Sequence, residues 1–271
     1  MPSPEFLEGF YHDYVGWEPA FAAELEKSLQ PRGFDLLFDL AASLGLPADA
    51  QVVDVGCGEG KHAFELARRF GWSVVGIDAV PWHVEEGRKR LAEELALAER
   101  VRFEVGLAEE LPVGDRSVDL VWCRDMLVHV EQLEQAFNEC FRVLRPGGRM
   151  LIYQQFATDR LEPREGAWLF RTMGVVPSTT NRVYFETAYT AAGFERLYQR
   201  ELRSEWMEHR QEEDGSVGRE LLQAGRLLRK RERFVKEFGQ RAYDLMLGDR
   251  LWHIYQMIGK LSPRVYVLRK P

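Results

Sequence analysis

A carboxylate followed by three alternating glycines is the first stretch of this sequence whose residue types and spacing could do chemistry: Asp54-Val55-Gly56-Cys57-Gly58-Glu59-Gly60. The β-branched residues Val52, Val53 and Val55 lead into it, and Lys61 to Phe70 follow with a helical pattern. A glycine-rich strand-to-helix turn permits positive φ and close backbone approach. Its free N–H groups and the positive helix end suit a polar ligand, and Asp54 suits a cation. The spacing is G-x-G-x-G, with Lys61 where the dinucleotide fingerprint has its third glycine. Alone, the turn fits either a nucleotide-type site or a plain structural turn. Asp78 closes the run Val74-Val75-Gly76-Ile77, about twenty residues after the turn, which is the spacing of a carboxylate that takes both hydroxyls of a ribose. Capping the next helix, with Pro81 in its first turn, is the alternative.

These groups need elements that bring strand ends together. Strands are expected at Val52–Val55, Ser73–Ile77, Val101–Val105, Leu120–Cys123 and Arg149–Tyr153. Helices are expected near Lys61–Phe70, His83–Leu95 and Gln132–Leu144. Such alternation means an α/β fold with a parallel sheet covered on both faces, binding its ligands at the carboxyl ends of the strands. Ahead of it, Phe10, Tyr14 and Trp17 share one helical face. That segment reads as a helix packing its stripe on the body, or as a flap whose Tyr11 and Tyr14 close over a small-molecule pocket. Phe34 to Leu44 forms an amphipathic helix stopped by Gly45 and Pro47.

Composition narrows the class. The 271 residues, 45% hydrophobic and 29% charged, suit an ordinary globular protein with a sizeable core. No apolar run is long enough for a membrane span and no secretory signal is evident, so a membrane is not an expected partner. Cys57, Cys123 and Cys140 show no metal-ligand spacing and read as free thiols in a reducing cytoplasm. A net charge of −7 argues against broad nucleic-acid binding.

The ordered series Val53 to Gly60, Gly76-Ile77-Asp78, Leu111-Pro112, Asp119-Leu120-Val121-Trp122 and Leu144-Arg145-Pro146-Gly147-Gly148 resembles the class I S-adenosylmethionine-dependent methyltransferases, in their small-molecule branch. The resemblance covers Leu44 to Ile152. It implies a Rossmann-like, doubly wound, mostly parallel sheet with an antiparallel edge pair, and S-adenosyl-L-methionine as cofactor with S-adenosyl-L-homocysteine as product. By the same resemblance Gly56, Gly58 and Gly60 wrap the methionine part and Asp54 reads its ammonium. Asp78 holds the ribose, Ala79 lies against the adenine, and the backbone at Cys123 and Arg124 approaches the amino group. The family's usual Gly-Asp-Ala is here Gly106-Leu107-Ala108, so the aspartate's hydrogen bond to the adenine amino group is either absent or made by Glu109. The favoured expectation is Leu107 packing on the purine while the backbone N–H of Ala108 or Glu109 meets a ring nitrogen. Asp125 and His129 match the Asp-x-x-x-His pattern of several small-molecule branches, and a helical segment would put them on one face. His129 is then the general-base candidate, because imidazole titrates near neutrality. Asp125 would orient it or contact the substrate. Bonding of His129 to a neighbouring loop's backbone is the structural alternative.

After Tyr153 the pattern loosens. Thr158 to Arg182, with Pro163, Gly166, Gly174 and Pro177, reads as an irregular insertion. Glu186 to Ala192 reads as a short helix, and Phe194–Leu202 and Arg264–Arg269 as strands that the resemblance pairs antiparallel. Between those strands, Glu220–Phe238 and Arg241–Ile258 are helical and form an expected cap. Its aromatic stripe, including Trp252 and Tyr255, is either cap core or substrate lining. Arg219, Arg226, Arg229 and Arg233 form either a solvated face, an anionic-substrate site or a homodimer contact. The expected organisation is a cofactor-binding core of residues 45–202 plus 263–271, an N-terminal flap of residues 1–44, and a cap of residues 203–262. The expected activity is methyl transfer to an oxygen, nitrogen or carbon atom of a small molecule, in specialised metabolism. A nicotinamide-dependent oxidoreductase and a cofactor-binding pseudoenzyme scaffold are the alternatives.

Overall fold

Val52, Val53 and Val55 are fully buried because β1 (Gln51–Val55) runs through the middle of a seven-stranded sheet. The computed structural model describes residues 2–271. The chain divides into two units, Met1–Pro31 and Arg32–Pro271. The smaller contains one helix, α1 (Pro4–Leu25), whose N-cap Ser3 accepts from the Phe6 N–H and along which Phe6, Phe10 and Tyr14 stack in succession.

The larger unit begins with α2 (Asp35–Ser43). The sequence groups this helix with the flap; its Leu36, Leu37, Phe38 and Ala41 instead pack into the core against Phe64 and Trp122. The chain then alternates through β1, α3 (Lys61–Phe70), β2 (Ser73–Asp78), α4 (Pro81–Glu93), β3 (Val101–Val105), β4 (Val118–Arg124), α5 (Leu133–Val143) and β5 (Leu144–Ala157). Next come α6 (Pro163–Met173), α7 (Arg182–Ala191), β6 (Glu195–Glu201), α8 (Glu205–Asp214), α9 (Ser216–Arg229), α10 (Arg231–Phe238), α11 (Gln240–Met257) and β7 (Leu261–Arg269). The sheet order is β3-β2-β1-β4-β5-β7-β6, with β7 antiparallel to both neighbours and the remaining pairs parallel. This is the expected α/β architecture, antiparallel edge included. The switch point lies between β1 and β4, where ligands of such sheets bind.

Helices α2, α3, α4 and α8 cover one face and α5 and α7 the other. A third apolar cluster joins α6, α9 and α11 through Leu169, Phe170, Ala224, Tyr243, Leu247 and Trp252. The insertion containing α8–α11 leaves β6 and enters β7 at the rim that carries the glycine turn, since β6 runs parallel to β5.

Three departures from the sequence reading have local causes. The segment read as irregular contains α6. Pro163 occupies its first turn, where no N–H is needed, Glu162 and Glu165 form a reciprocal capping box, and Gly174 closes it in the left-handed conformation. The expected helix Glu220–Phe238 is two, broken at Lys230 (φ −120°, ψ 32°). Finally, α8 buries only Trp206 and Met207, too few apolar positions to announce it.

Candidate active site

The glycine turn joins β1 to α3. Gly56 and Cys57 N–H donate to the Ile77 carbonyl at 2.8 and 3.0 Å, fixing the turn to β2. A Cβ on Gly60 (φ 87°) would sit 2.3 Å from the Phe103 ring, whereas one on Gly58 (φ 54°) would meet nothing within 4 Å. Gly60 is therefore required by packing, and Gly58 borders open space. Asp78 closes β2: its Oδ2 accepts from Gly58 N–H at 2.8 Å, and its Oδ1 accepts from Val80 N–H at 2.9 Å and lies 3.1 Å from His83 Nδ1. The carboxylate thus caps the next turn and faces the glycines at once, so the two readings of Asp78 are compatible. His83 was missed by sequence reasoning, although its place in the first turn after Asp78 was the available signal.

Asp54 is buried, and its Oδ2 has no hydrogen-bond partner. Burial pushes this carboxyl up to about 7, the Arg124 guanidinium pulling against that, the Asp78 charge adding to it, and the Ala63 N–H opposing. At the end of β4, Arg124 lies 4.6 Å above the Phe34 ring and 5.9 Å from that of Tyr153. Trp206 completes the aromatic bracket, stacking on Tyr153 at 4.2 Å and meeting Phe34 at 4.4 Å. A cavity of about 290 Å³ beside it is lined by Phe34, Phe38, Lys61, His62, Arg124 and Arg210, among others. His62 Nδ1 accepts from Trp122 Nε1 at 3.0 Å, and burial, with Arg124 and Lys61 adding, pushes it down to about 3, so this histidine is neutral.

Asp125 and His129 do not share a helical face. Asp125 is left-handed (φ 54°), its N–H donating to the Tyr153 carbonyl at 2.9 Å, and only a short 3₁₀ turn, Leu127–His129, follows. Pairing with β5 holds the backbone until Asp125, and aspartate tolerates the reversal that ends it. Burial pushes the Asp125 carboxyl up to about 7 against the pull of Arg124, and its Oδ1 is unpartnered. His129 is exposed and bonds the Gly174 carbonyl through Nδ1 at 2.8 Å. A carbonyl only accepts, so Nδ1 carries a proton, and in the neutral ring Nε2 holds the lone pair. The loop after α6, and not Asp125, orients this ring.

At the β2 and β3 ends, Val80, Trp82 and Leu107 expose about half of their surface while Ala108 is buried. Gly106 N–H bonds the Asp78 carbonyl at 3.1 Å, tying this apolar edge to the ribose candidate. Cys123 is buried. In the cap, Trp252 is buried in the α6–α9–α11 cluster, and Tyr255 donates its hydroxyl to Glu165 at 3.2 Å. The structure thus places both in the cap core, against the substrate-lining reading. Among the described residues no group of three or more His, Cys, Asp or Glu is placed to hold a metal ion, and no helix is long and apolar enough to cross a membrane.

Comparison with known proteins agrees with this geometry. Residues 52–148 match the methyltransferase domain family. Over 109 residues the chain is 40% identical to methyltransferase GfsG of Streptomyces halstedii, covering 40% of this chain and 39% of that protein. It is 34% identical to the erythromycin 3''-O-methyltransferase of Saccharopolyspora erythraea over 157 residues, 58% of this chain and 49% of the relative. The aligned segment thus spans less than half of either relative's length. Among solved structures, the [4+2]-cyclase SpnF superposes with a TM-score of 0.69 at 22% identity, covering 91% of this chain and 86% of that one. The geranyl diphosphate C-methyltransferase of Streptomyces coelicolor gives 0.65 at 16%, covering 87% and 80%. At these identities the likeness concerns the fold.

The residues of the matched segment 52–148 fit S-adenosylmethionine. An unpartnered buried carboxylate oxygen on Asp54 matches an ammonium, the open space at Gly58 admits a ligand where a side chain would stand, and the exposed Val80, Trp82 and Leu107 offer apolar surface to a purine.

Proposed function

We propose that this chain transfers a methyl group from S-adenosyl-L-methionine to a small-molecule acceptor. The observation that carries the reading is the unpartnered Asp54 Oδ2 at the end of the strand that leads into the open Gly58 turn, with Asp78 bonded to the same turn. Asp54 holds the ammonium, Asp78 the ribose hydroxyls, and Leu107, Ala108 and Glu109 edge the base with Ala79 on its flank. The backbone at Cys123 and Arg124 closes the methionine side. When bound, the cofactor supplies an activated methyl group, and the protein's share is mainly alignment of the acceptor for in-line displacement.

His129 holds its Nε2 lone pair free to take a proton from a hydroxyl or acidic carbon of the acceptor. Asp125, with one unpartnered oxygen, is the neighbouring group that contacts the acceptor. Tyr11 and Tyr14 are exposed on α1. Relatives are named for sterol, tocopherol, rifamycin and erythromycin methylation, which supports an acceptor from specialised metabolism and leaves the accepting atom open among carbon, oxygen and nitrogen. The nicotinamide alternative draws no support from the sixth position of the turn, which is Lys61.

Calorimetry with S-adenosylhomocysteine and with NADH tests the cofactor. Binding of the first and not the second is expected, with Asp78→Ala abolishing it; unchanged affinity in that variant removes the ribose assignment. Turnover on a panel of macrolide, phenolic and sterol acceptors then tests the base. His129→Ala should lose roughly 10²–10⁴-fold in rate with cofactor affinity intact, and full activity would discard it.

A further inference from the structure

Helix α5 carries Gln135, Glu139 and Arg142 at successive i, i+4 and i+7 positions, which is one ridge of a helix. All three reach the same backbone segment. Gln135 Nε2 donates to the Glu109 carbonyl at 3.3 Å. Glu139 Oε2 accepts from Leu111 N–H at 2.9 Å. Arg142 donates to the Leu111 carbonyl at 3.1 Å, to the Val113 carbonyl at 2.8 Å and to the Asp115 carboxylate at 2.6 Å, while its Nε and Nη2 each donate to one Glu139 carboxylate oxygen at 2.7 Å. The bonding to Arg142 holds the Glu139 carboxyl below its ordinary range, and that to Glu139 raises Arg142 in turn.

The clamped segment continues the edge that faces the base. Leu107 and Glu110 form an isolated antiparallel bridge, and a Cβ on Gly106 would stand 2.8 Å from Pro112 Cδ, so residues 106–112 fold back on themselves as one tight loop. A fixed loop presents its Leu107–Glu109 edge at one height above Asp78, to which Gly106 is bonded. A loose one would not. We propose that Gln135, Glu139 and Arg142 are positioning residues for nucleobase recognition: by pinning the backbone of residues 109–113 they set how the loop edge meets the adenine and how strictly the site discriminates against other purines. This rests on the S-adenosylmethionine reading above.

The test uses the full chain and two probes, S-adenosylhomocysteine and S-inosylhomocysteine, which differ at the base only. For the wild type, calorimetry should show tighter binding of the adenosyl compound. In Arg142→Met and in Glu139→Gln the adenosyl affinity should fall about tenfold, with the adenosyl-to-inosyl ratio dropping toward one. Gln135→Ala, a single peripheral contact, should move the ratio in the same direction by less. Should Arg142→Met fail to fold by circular dichroism, Arg142→Lys and Gln135→Ala carry the comparison. A wild type that binds neither probe refutes the cofactor reading itself. A wild type that discriminates, with variants that lower the melting temperature and leave the ratio unchanged, overturns the positioning role and leaves the cofactor reading standing.

Discussion

Asp54 and Asp125 make the site's charge state depend on pH. Both carboxyls are pushed from 3.8 to about 7, chiefly by burial. Their folded values lie above the unfolded ones, so the native state binds the extra protons between them. The stability they contribute is full below about pH 4 and is lost as pH rises through about 7. The melting temperature of the free protein should therefore fall from pH 5 to pH 8, and Asp125→Asn should flatten the slope; a slope identical to wild type refutes the assignment. Ligand binding acts on the same group. An ammonium beside Asp54 favours the carboxylate, so S-adenosylhomocysteine binding at pH 6 should release protons. The release should appear as a difference in binding enthalpy between buffers of unlike ionisation heat, and Asp54→Asn should abolish it. The glycines separate packing from binding in the same way. Gly58→Ala should cost about 1–2 kcal/mol for its left-handed backbone and weaken cofactor binding by filling the open space. Gly60→Ala, with Phe103 in its way, should cost more in denaturant melts, and equal losses in the two variants would contradict that distinction.

At the scale of elements, what was legible in the sequence is what a strict period can encode. β1 and β2 are runs of β-branched residues buried on both faces, and α3 and α5 have sharp apolar stripes, so their existence and order could be read directly. Asp54, Asp78 and the glycines followed, because chain order fixes them at strand ends. The conformation of Asp125 could not be read, since it is decided by a hydrogen bond to Tyr153 across the sheet. Helix α6 was hidden because Pro163 and Gly174 look like breakers until they are seen as its first turn and its cap. Its packing makes a checkable claim. Helix α11 passes α6 at Gly248, where a Cβ would stand 2.9 Å from Met173 Sδ and 3.1 Å from Thr172 Cγ2. Gly248→Val should overpack this crossing and cost about 1–3 kcal/mol in urea unfolding. S-adenosylhomocysteine affinity should stay within about twofold, the crossing being outside the cofactor site. A large loss of affinity would mean that the helical cluster is coupled to that site.

For the whole molecule, the separation into two units bears on how binding and turnover are shared. The proposed cofactor contacts, from Asp54 to Arg124, lie within Arg32–Pro271, and that unit also holds the whole sheet and the three apolar clusters. A chain beginning at Arg32 should therefore fold and bind S-adenosylhomocysteine like the full protein. A ligand at one hundred times its dissociation constant adds about 2.7 kcal/mol to the stability of the folded state, which for a unit of this size raises the melting temperature by roughly 5–10 °C. Scanning fluorimetry should show the same rise for the full and shortened chains. Turnover should divide them. If the flap reading of Tyr11 and Tyr14 holds, the shortened chain should raise the acceptor KM or lower kcat by about tenfold or more with cofactor affinity unchanged. Undiminished turnover would refute the flap reading, while loss of the thermal shift would mean that the unit Arg32–Pro271 does not fold its site alone.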